Sequence, residues 1–186
     1  MILSDDLIIQ HIEKNAISIE PFERANVRSA SVSLCLGEFC ARLEKEGEID
    51  LKDSETYPEL KLTRIEKQGM IIEPKEFLLC GTMEKIRFGR ENCGLISNLT
   101  GLARLGLGIA LSGFIGPGYG EKNPLPLTLE LYNHAVAPLR LYAGMRICHL
   151  IVLKLSKRSK TAYDSDVGIH SSMFAPSESQ FHKYFG

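Results

Sequence analysis

The chain has 186 residues, of which 44% are apolar and 24% are charged, and its formal net charge is -1. This length and composition predict a single domain, residues 1–186, with enough chain for a hydrophobic core that needs no metal or disulfide. The near-zero charge argues against a generally basic nucleic-acid-binding protein. No run approaches the roughly 20 apolar residues that cross a bilayer, and the first residues lack the basic start of a signal peptide. We therefore expect a soluble, cytoplasmic protein.

The cysteines and histidines show no metal-binding pattern. The five cysteines are an odd number, and most lie inside apolar runs, which predicts free, buried thiols in a reducing compartment. There is no C-x-x-C pair and no H-x-E motif, so we predict no zinc site. The five histidines are scattered, and we interpret them as surface or core residues. The cysteines are Cys35, Cys40, Cys80, Cys93 and Cys148.

A short amphipathic helix is predicted close to the N-terminus. Ser4 is a favourable N-cap residue, and the two aspartates that follow it suit the positive end of a helix. Leu7, Ile8 and Ile12 share one face, which we expect to be buried. Asn15 would end the helix.

Short strand-like runs fill most of the remaining chain. The first runs extend from Ile17 to Pro21 and from Ser31 to Phe39, and a strand edge with a mobile, charged surface loop is expected between Ala41 and Leu60. From Leu62 onward, apolar runs and turn residues alternate at close spacing, which is typical of an all-β sandwich or barrel. Residues 162–186 lack periodicity, and we predict a C-terminal arm there. The sequence predicts a mainly β fold with a short N-terminal helix.

The stretch from Thr100 to Asn133 carries the strongest functional signal. It holds seven of the sixteen glycines and passes from a glycine-rich loop into an alternating apolar run. In that run one strand face carries Leu127, Leu129 and Leu131, whereas the other carries Thr128, Glu130 and Tyr132. Because glycine lets backbone groups approach a ligand closely, this combination suits a pocket for a small polar molecule.

Glu130 is the main catalytic candidate. A glutamate on a half-buried strand without a nearby cation would have a raised pKa, which suits general acid–base chemistry near neutral pH. The alternative is an ordinary solvated strand glutamate. Thr100 and Arg104 flank a turn-like segment and would meet a ligand or Glu130. The alternative for Arg104 is a structural ion pair. The glycines around Pro117 would bind a ligand or would simply form turns.

Four ordered motifs carry a resemblance to a known family. They are L-A-R-L-G-L (102–107), S-G-F-I-G-P-G-Y (112–119), L-T-L-E-L-Y-N (127–133) and Y-A-G-M-R-I-C-H-L (142–150). Together with the opening residues 1–22, they resemble the dCTP deaminase branch of the dUTPase-like superfamily, and the resemblance spans nearly the whole chain. It implies a distorted β-barrel of the β-clip type. It also implies a homotrimer in which each active site is shared between subunits.

The resemblance implies a zinc-independent hydrolytic deamination of dCTP to dUTP and ammonia. In such a reaction Glu130 would activate the water that attacks C4 of cytosine, Thr100 would orient that water, and Arg104 would hold the reacting end of the site together. The triphosphate would arrive with Mg2+, without a metal bound directly by the protein. Candidate ligands are dCTP and also dUTP or dTTP. The nucleotide-binding residues implied by the resemblance are Leu99, Gly101, Leu102, Ala103, Ser112, Gly113, Ile115, Gly116, Thr128, Leu129 and Tyr163.

The chain departs from the family pattern at three of these positions. Leu99 and Gly101 stand where the family has a basic residue and a serine, and Gly116 stands where it has an acid. In dUTPases that acid activates the hydrolytic water, so its absence argues against diphosphate release. The alternatives to a deaminase are a catalytically degenerate nucleotide-binding homologue, a dUTP diphosphatase and a bifunctional deaminase-diphosphatase.

Overall fold

The computed structural model describes residues 1–109, 112–164, 176 and 178–185. Its helices are α1 (Asp5–Glu13) and α2 (Thr100–Arg104), and neither is long and apolar enough to cross a membrane. The mainly β fold with a short N-terminal helix predicted from the sequence is confirmed. The strands are β1 (Ile17–Glu20), β2 (Val27–Arg28), β3 (Ser31–Glu44), β4 (Glu59–Arg64), β5 (Met70–Ile72), β6 (Phe77–Phe88), β7 (Asn92–Asn98), β8 (Leu107–Ile109), β9 (Phe114–Ile115), β10 (Leu125–Asn133), β11 (Leu139–Leu141) and β12 (Arg146–Lys154).

Helix α1 forms where the spacing of apolar residues predicts it. Ile8 is fully buried, and Leu7 and Ile12 pack against the same core. The helix ends at Glu13, and Asn15 adopts a φ of 55°. Asparagine tolerates this left-handed conformation better than most residues do, which explains why the chain turns here. The predicted helix and its stop are confirmed.

The strands form one large antiparallel sheet and a small two-stranded one. Among the described residues, the main path runs β8-β10-β6-β3-β12-β7-β9, with β1 added to β6 and with β2 and β4 added to β3. Strands β5 and β11 pair separately. Strand β6 is continuous over twelve residues, whereas the sequence predicts two shorter runs there, E-F-L-L-C-G-T-M (76–83) and K-I-R-F (85–88). The buried face of β6 alternates without interruption, but it carries two polar residues, Thr82 and Glu84, which break the apolar pattern in the sequence.

Strand β3 is longer than the sequence predicts, because it continues past Phe39 to Glu44 and pairs with β4. The charged connection that follows contains a 3₁₀ turn at Ser54–Thr56. Tyr57 is buried there, and its hydroxyl donates to the carbonyl of Leu51 at 2.6 Å. The predicted C-terminal arm lies partly outside the described residues, which include a 3₁₀ helix at Phe181–Phe185.

The expectation of five free thiols is wrong for one pair. Cys40 and Cys80 form a disulfide between β3 and β6, where the register places them directly opposite each other with their Cα atoms 4.1 Å apart. They are 40 residues apart in sequence, so only the strand pairing reveals their proximity. Cys35, Cys93 and Cys148 are free and buried, as predicted.

Candidate functional site

Strand β10 presents its polar side chains to one face and its leucines to the core, as the alternation predicts. Leu127, Leu129 and Leu131 are buried in the hydrophobic core. Glu130 lies between two leucines of this series and is therefore directed to the opposite face, where it is half-buried. β10 pairs with β6 on one side and with β8 on the other, so a regular sheet fixes the direction of the Glu130 side chain.

Glu130 borders a cavity of about 370 Å³. Five of the residues predicted from the sequence to bind or act on a ligand line this cavity. It is lined by both polar and apolar groups, but the described lining residues include no lysine or arginine, and Glu130 supplies their only carboxylate. The predicted site residues in the lining are Ser112, Ile115, Thr128, Glu130 and Tyr163.

The backbone of the loop before β9 contacts the Glu130 carboxylate. The amide N–H of Ser112 donates to Oε2 of Glu130 at 3.4 Å. The same loop pairs with β7, since the carbonyl of Gly113 accepts the N–H of Ile96 at 2.8 Å. A side chain at Gly113 would be crowded, with its Cβ 3.3 Å from that neighbouring carbonyl oxygen of Ile96. The loop is therefore held close to both β7 and Glu130.

Two tyrosines form one wall of the cavity. The rings of Tyr119 and Tyr163 are 5.5 Å apart and inclined at 46°. Burial raises the pKa of both phenols, so both remain protonated at neutral pH. The hydroxyl of Tyr119 donates to the carbonyl of Pro126 at 2.7 Å, which ties this ring to the start of β10. The wall therefore offers flat apolar surface rather than negative charge.

The chain segment that carries Tyr163 is fastened to the glycine-rich turn. The N–H of Tyr163 donates to the carbonyl of Pro117 at 2.8 Å. The Asp164 carboxylate accepts the N–H of Gly120 at 3.1 Å and the N–H of Lys122 at 3.3 Å. These bonds hold the residues after β12 against the turn that precedes β10, and so hold Tyr163 at the cavity.

Within one chain, α2 is not part of the cavity. Thr100 and Arg104 lie on α2 and are exposed, and the cavity lining contains neither of them. The other candidates in this region, Leu99, Gly101, Leu102 and Ala103, also lie outside the lining. Leu129 is also outside the lining, and its side chain is buried in the core.

Several residues of the cavity carried no functional signal in the sequence. Tyr119 and Pro126 stand in or beside the motifs, but nothing in their local pattern distinguishes a ligand-facing residue from a turn residue. Phe114 and Leu127 also lie within the motifs, whereas Leu79, Ile96 and Ser179 come from segments distant in sequence that meet only in the folded chain. The residues that sequence reasoning missed are Leu79, Ile96, Phe114, Leu127 and Ser179, together with Tyr119 and Pro126.

Two solved structures show which known fold this chain shares. The crystal structure of 2′-deoxycytidine 5′-triphosphate deaminase from Agrobacterium tumefaciens superposes with a TM-score of 0.62 at 18% identity and covers 81% of this chain. This chain spans 47% of that chain's length. An Asp-to-Asn mutant of the dUTPase from phage phi11 of S. aureus has a TM-score of 0.51 at 13% identity, with 78% of this chain and 94% of that chain covered. The chain therefore has a dUTPase-like fold.

Sequence relatives give a more specific result. The relative named "dCTP deaminase, dUMP-forming" from Hydrogenobaculum sp. (strain Y04AAS1) is 36% identical to this chain over 157 residues, which cover 84% of each of the two chains. The relative of the same name from Tropheryma whipplei (strain Twist) is 31% identical over 192 residues, which cover 100% of this chain and 95% of the relative. These names give dUMP as the product, whereas the motif resemblance implies dUTP. Since the dCTP deaminase-like family model also matches residues 2–155, the chain belongs to the dCTP deaminase-like family.

Proposed function

We propose that this protein deaminates the cytosine of dCTP by hydrolysis, with Glu130 as the proton carrier. The observation that carries the proposal is the position of Glu130, which is half-buried at a cavity large enough for a small ligand and contacted by the Ser112 N–H. A fixed carboxylate at hydrogen-bonding distance from a bound water can act as a general base. Membership of the dCTP deaminase-like family supports cytosine as the target.

The proposed chemistry needs one carboxylate and no zinc. Glu130 takes a proton from water, and the resulting hydroxide adds to C4 of cytosine. Glu130 then returns that proton to the ring at N3. The remaining hydroxyl proton leaves with the amino group, so that ammonia departs and a uracil carbonyl remains. The net reaction consumes one water and one dCTP and releases one ammonia. General acid–base participation of this kind contributes about 10² to 10⁴ to a rate.

We further propose that a second copy of the chain completes each site, within a homotrimer. The apolar surface next to the cavity supports this, because Phe114 is 62% exposed and pairs across β7 and β9 with Leu95, which is 37% exposed. The cations needed for a triphosphate are missing from the described lining. Arg104 and Thr100, exposed on α2, are available to reach the cavity of a neighbouring copy. Mg2+ enters the proposal as part of the substrate.

The residues of this chain and the names of its relatives favour different products. The relatives' names favour dUMP, which requires release of diphosphate in addition to deamination. Gly116, which replaces the acid that activates water in dUTPases, favours dUTP as the product of this chain. We take deamination as the primary function and diphosphate release as the second candidate.

Product analysis separates these functions. The purified protein is incubated with dCTP and Mg2+, and the nucleotides are resolved by anion-exchange chromatography while ammonia is assayed. Appearance of dUTP with equimolar ammonia supports the proposal, and appearance of dUMP with diphosphate supports the second candidate. If neither forms while dCTP or dTTP still raises the melting temperature, the chain is a nucleotide-binding homologue and the deaminase proposal is wrong.

A further inference from the structure

Strands β6 and β10 change register immediately before the residues that face the cavity. Pro126 lies opposite Lys85, but two residues later Thr128 lies opposite Gly81. Between these pairs, Leu127 alone faces the β6 segment 82–84, which therefore bulges out of the regular ladder. The two extra residues of β6 leave the inward and outward alternation of both strands unbroken, so the bulge sets which residues of β6 lie beside each residue of β10, and not which face that residue occupies.

A single buried hydroxyl closes this bulge. Oγ1 of Thr82 accepts the N–H of Leu127 at 2.9 Å and donates to the carbonyl of Glu84 at 2.7 Å. Thr82 is 4% exposed, so neither bond can be readily replaced by solvent. The hydroxyl thus joins the Leu127 N–H of β10 to the Glu84 carbonyl of β6 across the irregular register.

The other side of the bulge is packed against β3. The pairing there also shifts, between Leu36 and Cys40. Gly37 lies so close to β6 that a Cβ atom on it would stand 2.9 Å from the carbonyl oxygen of Gly81. The Glu84 carboxylate turns toward β3 and accepts the N–H of Cys35 at 2.9 Å. The bulge is therefore enclosed, and a lost bond on the β10 side cannot be compensated by moving β6 toward β3.

We propose that Thr82 is a positioning residue, whose hydroxyl holds β10 in the register that sets the positions of Thr128 and Glu130 along the cavity. The catalytic consequence of this inference depends on the proposed deamination. Thr82 does not line the cavity, so it acts through Leu127. Loss of the hydroxyl leaves the Leu127 N–H buried without an acceptor, which favours a displaced β10.

The test compares Thr82→Val, which keeps the shape and removes the hydroxyl, with Thr82→Ser, which keeps the hydroxyl. For deamination of dCTP we expect Thr82→Val to lower kcat by about tenfold to a hundredfold, since small displacements of a catalytic group have effects of this size. KM should change by less than about threefold, because ground-state contacts elsewhere in the cavity remain. Thr82→Ser should retain most of the wild-type kcat.

Hydrogen exchange provides a readout that does not depend on the reaction. The Leu127 amide should be protected in the wild type and in Thr82→Ser, and it should exchange faster in Thr82→Val. Wild-type kcat in Thr82→Val, or equal losses of kcat in both variants, would overturn the inference. If the wild type itself deaminates no dCTP, the proposed function fails, and hydrogen exchange alone tests the positioning role. Unchanged protection of the Leu127 amide in Thr82→Val would then overturn that role, whereas faster exchange would support it. If Thr82→Val does not fold, Thr82→Ala is measured against Thr82→Ser in the same way.

Discussion

The ring of Tyr163 lies directly against the backbone of Gly116. A Cβ atom added to Gly116 would stand 3.2 Å from Cδ2 of Tyr163, which is closer than carbon atoms normally pack. A side chain at position 116 and the ring at position 163 therefore compete for the same space. The motif resemblance implies an acid at position 116, and in this chain the aromatic ring occupies the region where such a side chain would begin.

The competition between Gly116 and Tyr163 predicts a coupled pair of mutations. Gly116→Ala should destabilise the protein by about 1 kcal/mol, because an added methyl group in a packed site forces its neighbours to move. In a Tyr163→Ala background, the same change should cost little, since the ring is gone. A double-mutant cycle measured by urea denaturation checks this. Additive effects of the two substitutions would contradict the contact.

A shared active site predicts complementation between two inactive variants. Glu130→Gln and Arg104→Ala should each abolish most deamination, since one alters the cavity and the other alters α2. If each site takes these residues from different chains, an equimolar mixture of refolded variants should recover about a quarter of wild-type activity, as random assembly of a symmetric oligomer implies. Activity no higher than that of the separate variants would contradict sharing.

The buried carboxyl group of Glu84 predicts a pH-dependent stability. Burial, and to a smaller extent Glu23, raises the pKa of Glu84 above its ordinary value of 4.5. Between pH 4.5 and the raised pKa, the folded state therefore binds more protons than the unfolded state. The free energy of unfolding consequently falls as pH rises through this window. Glu84→Gln keeps an acceptor for the Cys35 N–H and should remove this loss.

Urea denaturation at about pH 5 and pH 8 measures the effect. The free energy of unfolding of the Glu84→Gln variant, relative to wild type, should be higher at the upper pH. The exposed Glu66 serves as the matched control, and Glu66→Gln should leave the pH dependence unchanged. An equal slope in wild type and in Glu84→Gln would show that Glu84 is not the responsible group.

The Cys40–Cys80 disulfide predicts a fixed number of reactive thiols. In denaturant without reductant, three cysteines should be alkylated, and after reduction all five should be. Reduction should also lower the free energy of unfolding by roughly 3–4 kcal/mol, because the bond closes a long loop in the unfolded chain. Intact-mass spectrometry counts the labels, and five labels before reduction would contradict the pairing.

Local patterns in the sequence predict those features that depend on local periodicity. Helix α1 follows from its cap and apolar stripe, and the two faces of β10 follow from alternation. That alternation also directs Glu130 away from the core, because Leu129 and Leu131 on either side of it are buried. In each case a single element determines the outcome.

Features that depend on pairing between distant strands could not be predicted. The approach of Cys40 to Cys80, and the contribution of Leu79 and Ile96 to the cavity, require the register of several strands at once. Strand β6 reads as two runs in the sequence because its buried face carries the polar residues Thr82 and Glu84, which interrupt the apolar pattern. The separation of Arg104 from the cavity follows from tertiary structure, and no local signal around α2 indicates it.

The most direct test of the account is the rate of dCTP deamination by wild type and by Glu130→Gln, followed through the absorbance change from cytosine to uracil. We expect turnover by the wild type and a loss of about a thousandfold in the variant, which is within the range for a general acid–base group. The variant should keep the wild-type melting temperature, which separates lost chemistry from lost folding. Undiminished deamination by Glu130→Gln, or no turnover by the wild type, would contradict the central claim.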